Sequence, residues 1–250
     1  MQPGAAQRYL RQIALPEVGP DGQERLAAAT VAVASEAGGD LAAEIAARYL
    51  AAGGVGTLRL IGAGAAAVGA ETLRASNPDV VVESLPWPGD HADADADADA
   101  EADGRAWLAA LAGVGLVVRS GFDDDPMLRA TVRLGIPVVL MRALDDRAEV
   151  LAVRRQGPCP HADLAIPGRR ADGVFNGPAA VVAGTLGATE AMSLILLILG
   201  RAAPATPARA RHLAVPLAPS PEGGGPRAQD IPWAPECFAC GGGASEMVFS

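Results

Sequence analysis

The chain contains no lysine; all twenty of its lysine-or-arginine positions are arginine. A guanidinium cannot replace a compact ammonium without changing the geometry of the site, so chemistry that depends on a lysine amine is excluded. Three cysteines are too few for a disulfide-built fold. No basic face is available for nucleic acid, because the formal charge is −9. No signal peptide opens the chain, which makes the cytoplasm the expected compartment. Aromatic residues are scarce, at 4 %. With so many alanines beside them, this points to helices that pack closely on a sheet through small residues.

Half of the 250 residues are hydrophobic, enough for one generous core, or one core with a small appendage. Part of the acidity is local. The run "HADADADADAEADG" (91–104) carries six carboxylates and no arginine. Aspartate is a poor strand former, so the alternation with alanine is compositional, and residues 88–104 read as a solvated, mobile tether. A calcium loop would need a turn glycine and a loop-type ligand set that this run lacks.

The stretch "VVAGTLGATEAMSLILLILG" (181–200) has the length of a membrane span. Glu190 near its middle and several small or polar residues make it a core or interface helix instead. Elsewhere short apolar runs alternate with helical segments. The strands are "TVAVAS", "TLRLIG", "DVVVESL", "VGLVVRS", "IPVVLM", "RAEVLAVRR" and "ARHLAVPL". Helices are expected at 5–15, 21–29, 39–52, 70–75, 105–112, 126–134 and 174–199. This alternation predicts an α/β fold with a Rossmann-like, mostly parallel sheet and flanking helices. The expected division is an N-terminal helical arm (1–30), a core (31–200) and a C-terminal strand with its tail (201–250).

"VAVASEAGGDLAAE" (31–44) has the strand, glycine turn and helix of a nucleotide-binding unit. A dinucleotide fingerprint needs three glycines at fixed offsets, whereas this turn has only Gly38 and Gly39. Glu36 and Asp40 flank them, and a carboxylate has the wrong sign for a helix N-terminus that is to receive a phosphate. Charge and spacing favour an ordinary strand-to-helix turn, with Gly38 and Gly39 opening the helix.

"RYLRQIALPEVGPDGQERL" (8–26), "YLAAGGVGTLRLIG" (49–62), "RSGFDDDPMLR" (119–129), "GIPVVL" (135–140), "GPCPHA" (157–162), "GVFNGPAAVVAGTLGATEAMSLILLILG" (173–200) and "CFACGG" (237–242) follow one another in order. Together they resemble the ThiF/MoeB/HesA family, relatives of the ubiquitin-activating E1 enzymes. The resemblance spans nearly the whole chain. It implies a homodimeric, ATP-dependent adenylyltransferase fold whose members adenylate the C-terminal glycine of a ubiquitin-like protein, usually a sulfur carrier, or act in related pathways on a peptide.

Measured against that pattern the chain is degenerate. Where the family places a ribose-holding aspartate and its companion, this sequence has Gly62 and Gly64. The loop bearing the family's Ser-Asn-x-x-Arg-Gln is absent, and Ser76-Asn77 belongs to a later Asn-Pro turn. The phosphate-neutralising lysine is missing, and Arg169 stands about where a thiol would be. Adenylation builds charge on phosphate that preorganised cations stabilise, so their loss removes most of the catalytic means. Three matches survive: Arg11, which the family offers to the neighbouring subunit's ATP, Asp124, which would hold magnesium, and its companion Arg129. Gly38, Gly39, Asp124 and Arg129 are thus the candidates for a residual ATP–magnesium site. As plain structure, Asp125 before Pro126 makes a helix cap that Asp124 enriches, Arg129 covers a sheet edge, and "RYLRQ" packs an N-terminal helix.

The resemblance also implies a structural zinc. Family members close a tetrahedron with two Cys-x-x-Cys knuckles. Here Cys237 and Cys240 form one, and Cys159 with His161 stands in for the other. Two functions remain open: a non-catalytic dimerising or scaffold partner, in a homodimer or with an active relative, and an active adenylyltransferase with an unusual ATP site.

Overall fold

Thr30–Ala34 forms β1, and its last four residues are buried on both sides. Such a run, apolar at every position, suits a parallel strand covered on two faces. In the computed structural model, residues 7–36, 38–88, 96–121, 126–153, 177–198, 210–217, 225–231, 236–237 and 242–243 are described. β2 (Thr57–Ile61), β3 (Val81–Leu85), β4 (Leu116–Ser120) and β5 (Val138–Ala143) run parallel to β1, in the spatial order β3-β2-β1-β4-β5. β6 (Arg147–Val153), β7 (Ala210–Pro216) and β8 (Arg227–Ile231) then continue the same sheet as antiparallel neighbours. The sheet is therefore mixed: five parallel strands followed by three antiparallel ones. β7 and β8 come from the segment 201–250 that the sequence sets apart from the core. A separate ribbon pairs β9 (Glu236–Cys237) with β10 (Gly242–Gly243).

The helices are α1 (Leu10–Ile13), α2 (Gly19–Ala28), α3 (Leu41–Gly53), α4 (Ala63–Ala66), α5 (Ala70–Ser76), α6 (Ala96–Ala110), α7 (Pro126–Leu134) and α8 (Gly177–Ile198). Side chains alternate across the strands and divide the core in two. Val31, Val33, Leu58, Leu60, Val118 and Met141 pack on one face under α3 and α8. Ala32, Ala34, Ile61, Val117 and Leu140 face the other way, toward Trp107 of α6 and Met127 of α7.

Two sequence expectations are corrected. The tether assigned to 88–104 does not extend across its second half, because residues 96–104 begin α6. Weighing aspartate against strand left out alanine, the best helix former, which supplies every second residue of the run. α3 starts at Leu41 with Asp40 as its N-cap, two residues after the expected Gly39.

α8 lies on the sheet beside α3 as a core helix. It is also the one helix among the described residues long and apolar enough to cross a membrane by length and composition. Its only charge, Glu190, is buried and accepts a hydrogen bond from Arg211 Nη1 at 3.2 Å. Gly184 sits so close to α3 that a Cβ there would lie 2.5 Å from the Ala42 carbonyl oxygen. Gly187 lies just as close to the sheet, where a Cβ would meet the Met141 side chain of β5.

Arg8 and Tyr9 are pinned to this core. Tyr9 is buried, and its hydroxyl accepts a hydrogen bond from Asn77 Nδ2 at 2.7 Å. The same nitrogen donates to the Ala51 carbonyl, and Arg8 donates to Asn77 Oδ1 and pairs with Asp79. "RY" of the first motif thus grips the Asn-Pro-Asp turn.

Candidate functional site

Ligands of open parallel sheets bind outside the carboxyl ends of the strands, where successive connections leave toward opposite faces. In this sheet that point lies between β1, which leads to α3 on one face, and β4, which leads to α7 on the other.

The exit from β1 is closed by its own side chains. Ser35 Oγ donates to Asp40 Oδ2 at 2.5 Å, and Asp40 Oδ1 accepts from the Ala43 amide at 3.1 Å. That amide is one of the free donors at the N-terminus of α3, the position where a bound phosphate would sit. A carboxylate of the chain holds the place of the anion. Gly39 has φ +76°, a left-handed conformation that favours glycine, so it is accounted for by the turn itself. Gly38 and Gly39 are exposed, as is Glu36.

The ends of β1, β2 and β3 are laced together. The Ser35 amide donates to Ile61, the Gly64 amide to Ser35, and the Gly62 amide to Leu85, at 3.0, 3.1 and 3.0 Å. Gly62, where the resemblance would place a ribose-holding aspartate, has φ +87°. A Cβ there would run into the Ser35 carbonyl oxygen and stand 2.9 Å from Trp87 Cε3. Position 62 has no space for a side chain.

Trp87, two residues beyond β3, is half-buried and packs edge-to-face on Trp107, with ring centroids 4.8 Å apart and planes at 84°. The Arg119 guanidinium lies 5.8 Å from the Trp87 ring centroid. Trp107 and Arg119 are 1 % and 6 % exposed, so Trp87 rests on a buried base. Sequence reasoning passed over all three. The available signals were two tryptophans in a chain poor in aromatics, and an arginine at the end of an apolar strand.

Farther along the same edge, the β5–β6 register sets Arg142 opposite Glu149. Both are buried, with Arg142 Nη2 2.5 Å from Glu149 Oε2, while Arg147 Nε reaches Oε1 at 2.8 Å. Burial alone would push the Glu149 carboxyl up. The hydrogen bonds from Arg147 and Arg142 outweigh it and hold the group below the usual carboxylate value. The Arg147 guanidinium is held above its ordinary value, chiefly by its hydrogen bond to Glu149.

Among the expected site residues, Arg11 is exposed on α1 and makes no hydrogen bond or ion pair with the described residues. Arg129 lies on the exposed side of α7. Asp124, Cys159, His161 and Cys240 fall outside the described residues, and Cys237 lies in β9, opposite Gly242. Among the described residues no cluster of three or more His, Cys, Asp or Glu could hold a metal ion. In the described part of the crevice a carboxylate already holds the α3 N-terminus, and an indole ring stands beside Gly62.

No family model matches the chain. It is 31 % identical to the SAMP-activating enzyme E1 of Haloferax volcanii over 219 residues, covering 76 % of this chain and 75 % of the relative. Its fold is similar to that of PaaA, with a TM-score of 0.62 at 18 % identity, covering 92 % of this chain and 84 % of that one. It is also similar to Escherichia coli MccB bound to AMPCPP and MccA, with a TM-score of 0.56 at 17 % identity, over 88 % and 68 % of the two chains. The E. coli tRNA N6-threonylcarbamoyladenosine dehydratase TcdA, in complex with AMP, gives 0.56 at 14 % identity, over 80 % and 98 %.

Proposed function

Because the chain belongs to the E1-like ThiF/MoeB family, we propose that it is a degenerate member without adenylation activity of its own. In this reading it serves as a dimerising, scaffold partner in the activation of a ubiquitin-like sulfur carrier or a peptide. The observation that carries the reading is the Asp40 carboxylate on the Ala43 amide, an anion built into the place where ATP phosphate would bind. The absence of lysine works in the same direction, because the transition-state charge has no compact cation to meet it.

The partner role rests on how the first motif divides its work. Arg8 and Tyr9 fix the N-terminal segment to Asn77 and Asp79, which accounts for its packing. Arg11 is left exposed on that fixed base. An arginine presented across an interface can stabilise phosphate charge in a neighbour's site. The proposed assembly is therefore a mixed dimer with a complete ThiF-type protein, in which Arg11 acts in trans. Cys159, His161, Cys237 and Cys240 are the proposed ligands of one structural zinc.

The test combines the purified chain with a complete relative from the same source. The chain alone should show no ATP–pyrophosphate exchange, and robust exchange would refute the non-catalytic reading. The mixture should adenylate its carrier faster than the relative alone, and Arg11→Ala should abolish the gain. No association, or a gain indifferent to Arg11→Ala, would refute the role in trans.

A further inference from the structure

We propose that Trp87 is a resident plug of the nucleotide crevice, an indole of the chain's own that occupies the place of a bound nucleoside. The proposal rests on the reading of a non-adenylating chain and gives it a structural agent. Asp40 accounts for the phosphate end of the crevice. Trp87 accounts for the other end, at the carboxyl edge of β2 and β3.

Three contacts on three separate elements hold the ring. The ring meets Trp107 of α6 at near-perpendicular inclination, Arg119 at the end of β4 lies over it, and Gly62 at the end of β2 lies beside it, where a Cβ would stand 2.9 Å from Trp87 Cε3. Apolar surface, a facing aromatic and a few placed polar groups are the features that line small-molecule sites. Here all are engaged by a side chain. Trp107, nearly fully buried, would be uncovered if the ring left, so displacement by a free nucleotide costs apolar exposure as well as two ring contacts. A nucleotide that did enter would meet the Asp40 carboxylate with its phosphates.

A plug differs from ordinary edge packing in what its removal leaves behind. Truncating the indole should leave a planar, apolar slot that a free heterocycle can refill, as apolar cavities do when they are sealed by rigid walls. Because Asp40 remains, the slot should prefer an uncharged ligand to a phosphorylated one.

The experiment uses the full chain and its Trp87→Ala and Trp87→Leu variants, with indole, adenosine and AMP as probes in titration calorimetry and thermal melts. Wild type should bind none of the three. A folded variant should bind indole at least tenfold more tightly than wild type, with a raised melting temperature, and adenosine in preference to AMP. Wild type that binds AMP with quenching of tryptophan fluorescence would overturn the proposal, because the ring would then be a stacking wall of a working pocket. Truncated variants that fold but bind neither indole nor adenosine would also overturn it, since the ring would then be edge packing alone. Trp87→Leu, with a larger side chain to support the edge, carries the measurement if Trp87→Ala does not fold. These failures are separate from that of the parent reading, which is overturned by pyrophosphate exchange in wild type.

Discussion

Ser35 and Asp40 close the β1–α3 turn on themselves: the Ser35 hydroxyl donates to one carboxylate oxygen of Asp40, and the other oxygen caps α3 at Ala43. Helix stability and the proposed occupation of the anion position therefore draw on the same side chain. Asp40→Ala should lower the free energy of unfolding by about 1 kcal/mol in urea titration, the usual worth of a helix N-cap, whereas Asp40→Asn should cost much less. A loss near zero for Asp40→Ala would mean that the carboxylate is not needed by the helix.

The Glu149 carboxylate, between Arg142 and Arg147, has a depressed pKa in the folded chain. A depressed folded value means that the unfolded state takes up the proton first as pH falls. Its stabilisation is complete above the ordinary value of 4.5 and is lost as pH drops through the lower, folded value. Urea stability measured from neutral pH downward should decline in that acid range, and Glu149→Gln should flatten part of the decline. At neutral pH Glu149→Ala should cost about 3–5 kcal/mol, because it breaks a buried ion pair from one side.

Gly184 marks the closest approach of α8 to α3. A Cβ there would meet the Ala42 carbonyl oxygen at 2.5 Å and Ile45 Cβ at 2.9 Å, and backbone cannot move aside as a side chain can. Gly184→Ala should destabilise the fold by about 1–3 kcal/mol despite the better helix propensity of alanine. In thermal melts this corresponds to a fall of about 2–4 °C for each kcal/mol. An unchanged or raised melting temperature would show that the two helices are not in contact there.

The proposed zinc has a direct assay. Protein purified without added metal should contain about one equivalent of zinc, and Cys237→Ser, Cys240→Ser and Cys159→Ser should each lose it. His161→Ala should weaken retention against a chelator. Zinc-free wild type would remove the metal from the account of this chain.

What the sequence disclosed and what it withheld follow from the reach of each signal. Val31–Ala34 and Leu116–Val118 announce buried parallel strands because an uninterrupted apolar run has few other uses. α8 was legible for the same reason, as an apolar helix that packs on the sheet. The antiparallel turn of β6–β8 was not legible, because periodicity identifies an element and not its neighbour. The carboxylates at the glycine turn showed the wrong sign of charge, but not that Asp40 caps the helix while Glu36 stays in solvent. Trp87, Trp107 and Arg119 lie far apart in the chain and meet only when β2, β3, β4 and α6 have been placed. No local pattern joins them.

β6 ends at Val153, and its outer partner β7 does not begin until Ala210. On a ribosome, β6 can dock against β5 as soon as their hairpin emerges, but the strand that covers its other side is still unmade. For that interval a strand with six of its seven residues buried in the finished fold offers an open row of backbone donors and acceptors. The hazard is intermolecular: a neighbouring nascent chain can supply the missing strand as readily as the chain's own tail. Synthesis halted before residue 210 should therefore yield a sheet that grows sideways into assemblies, however well its first five strands have formed.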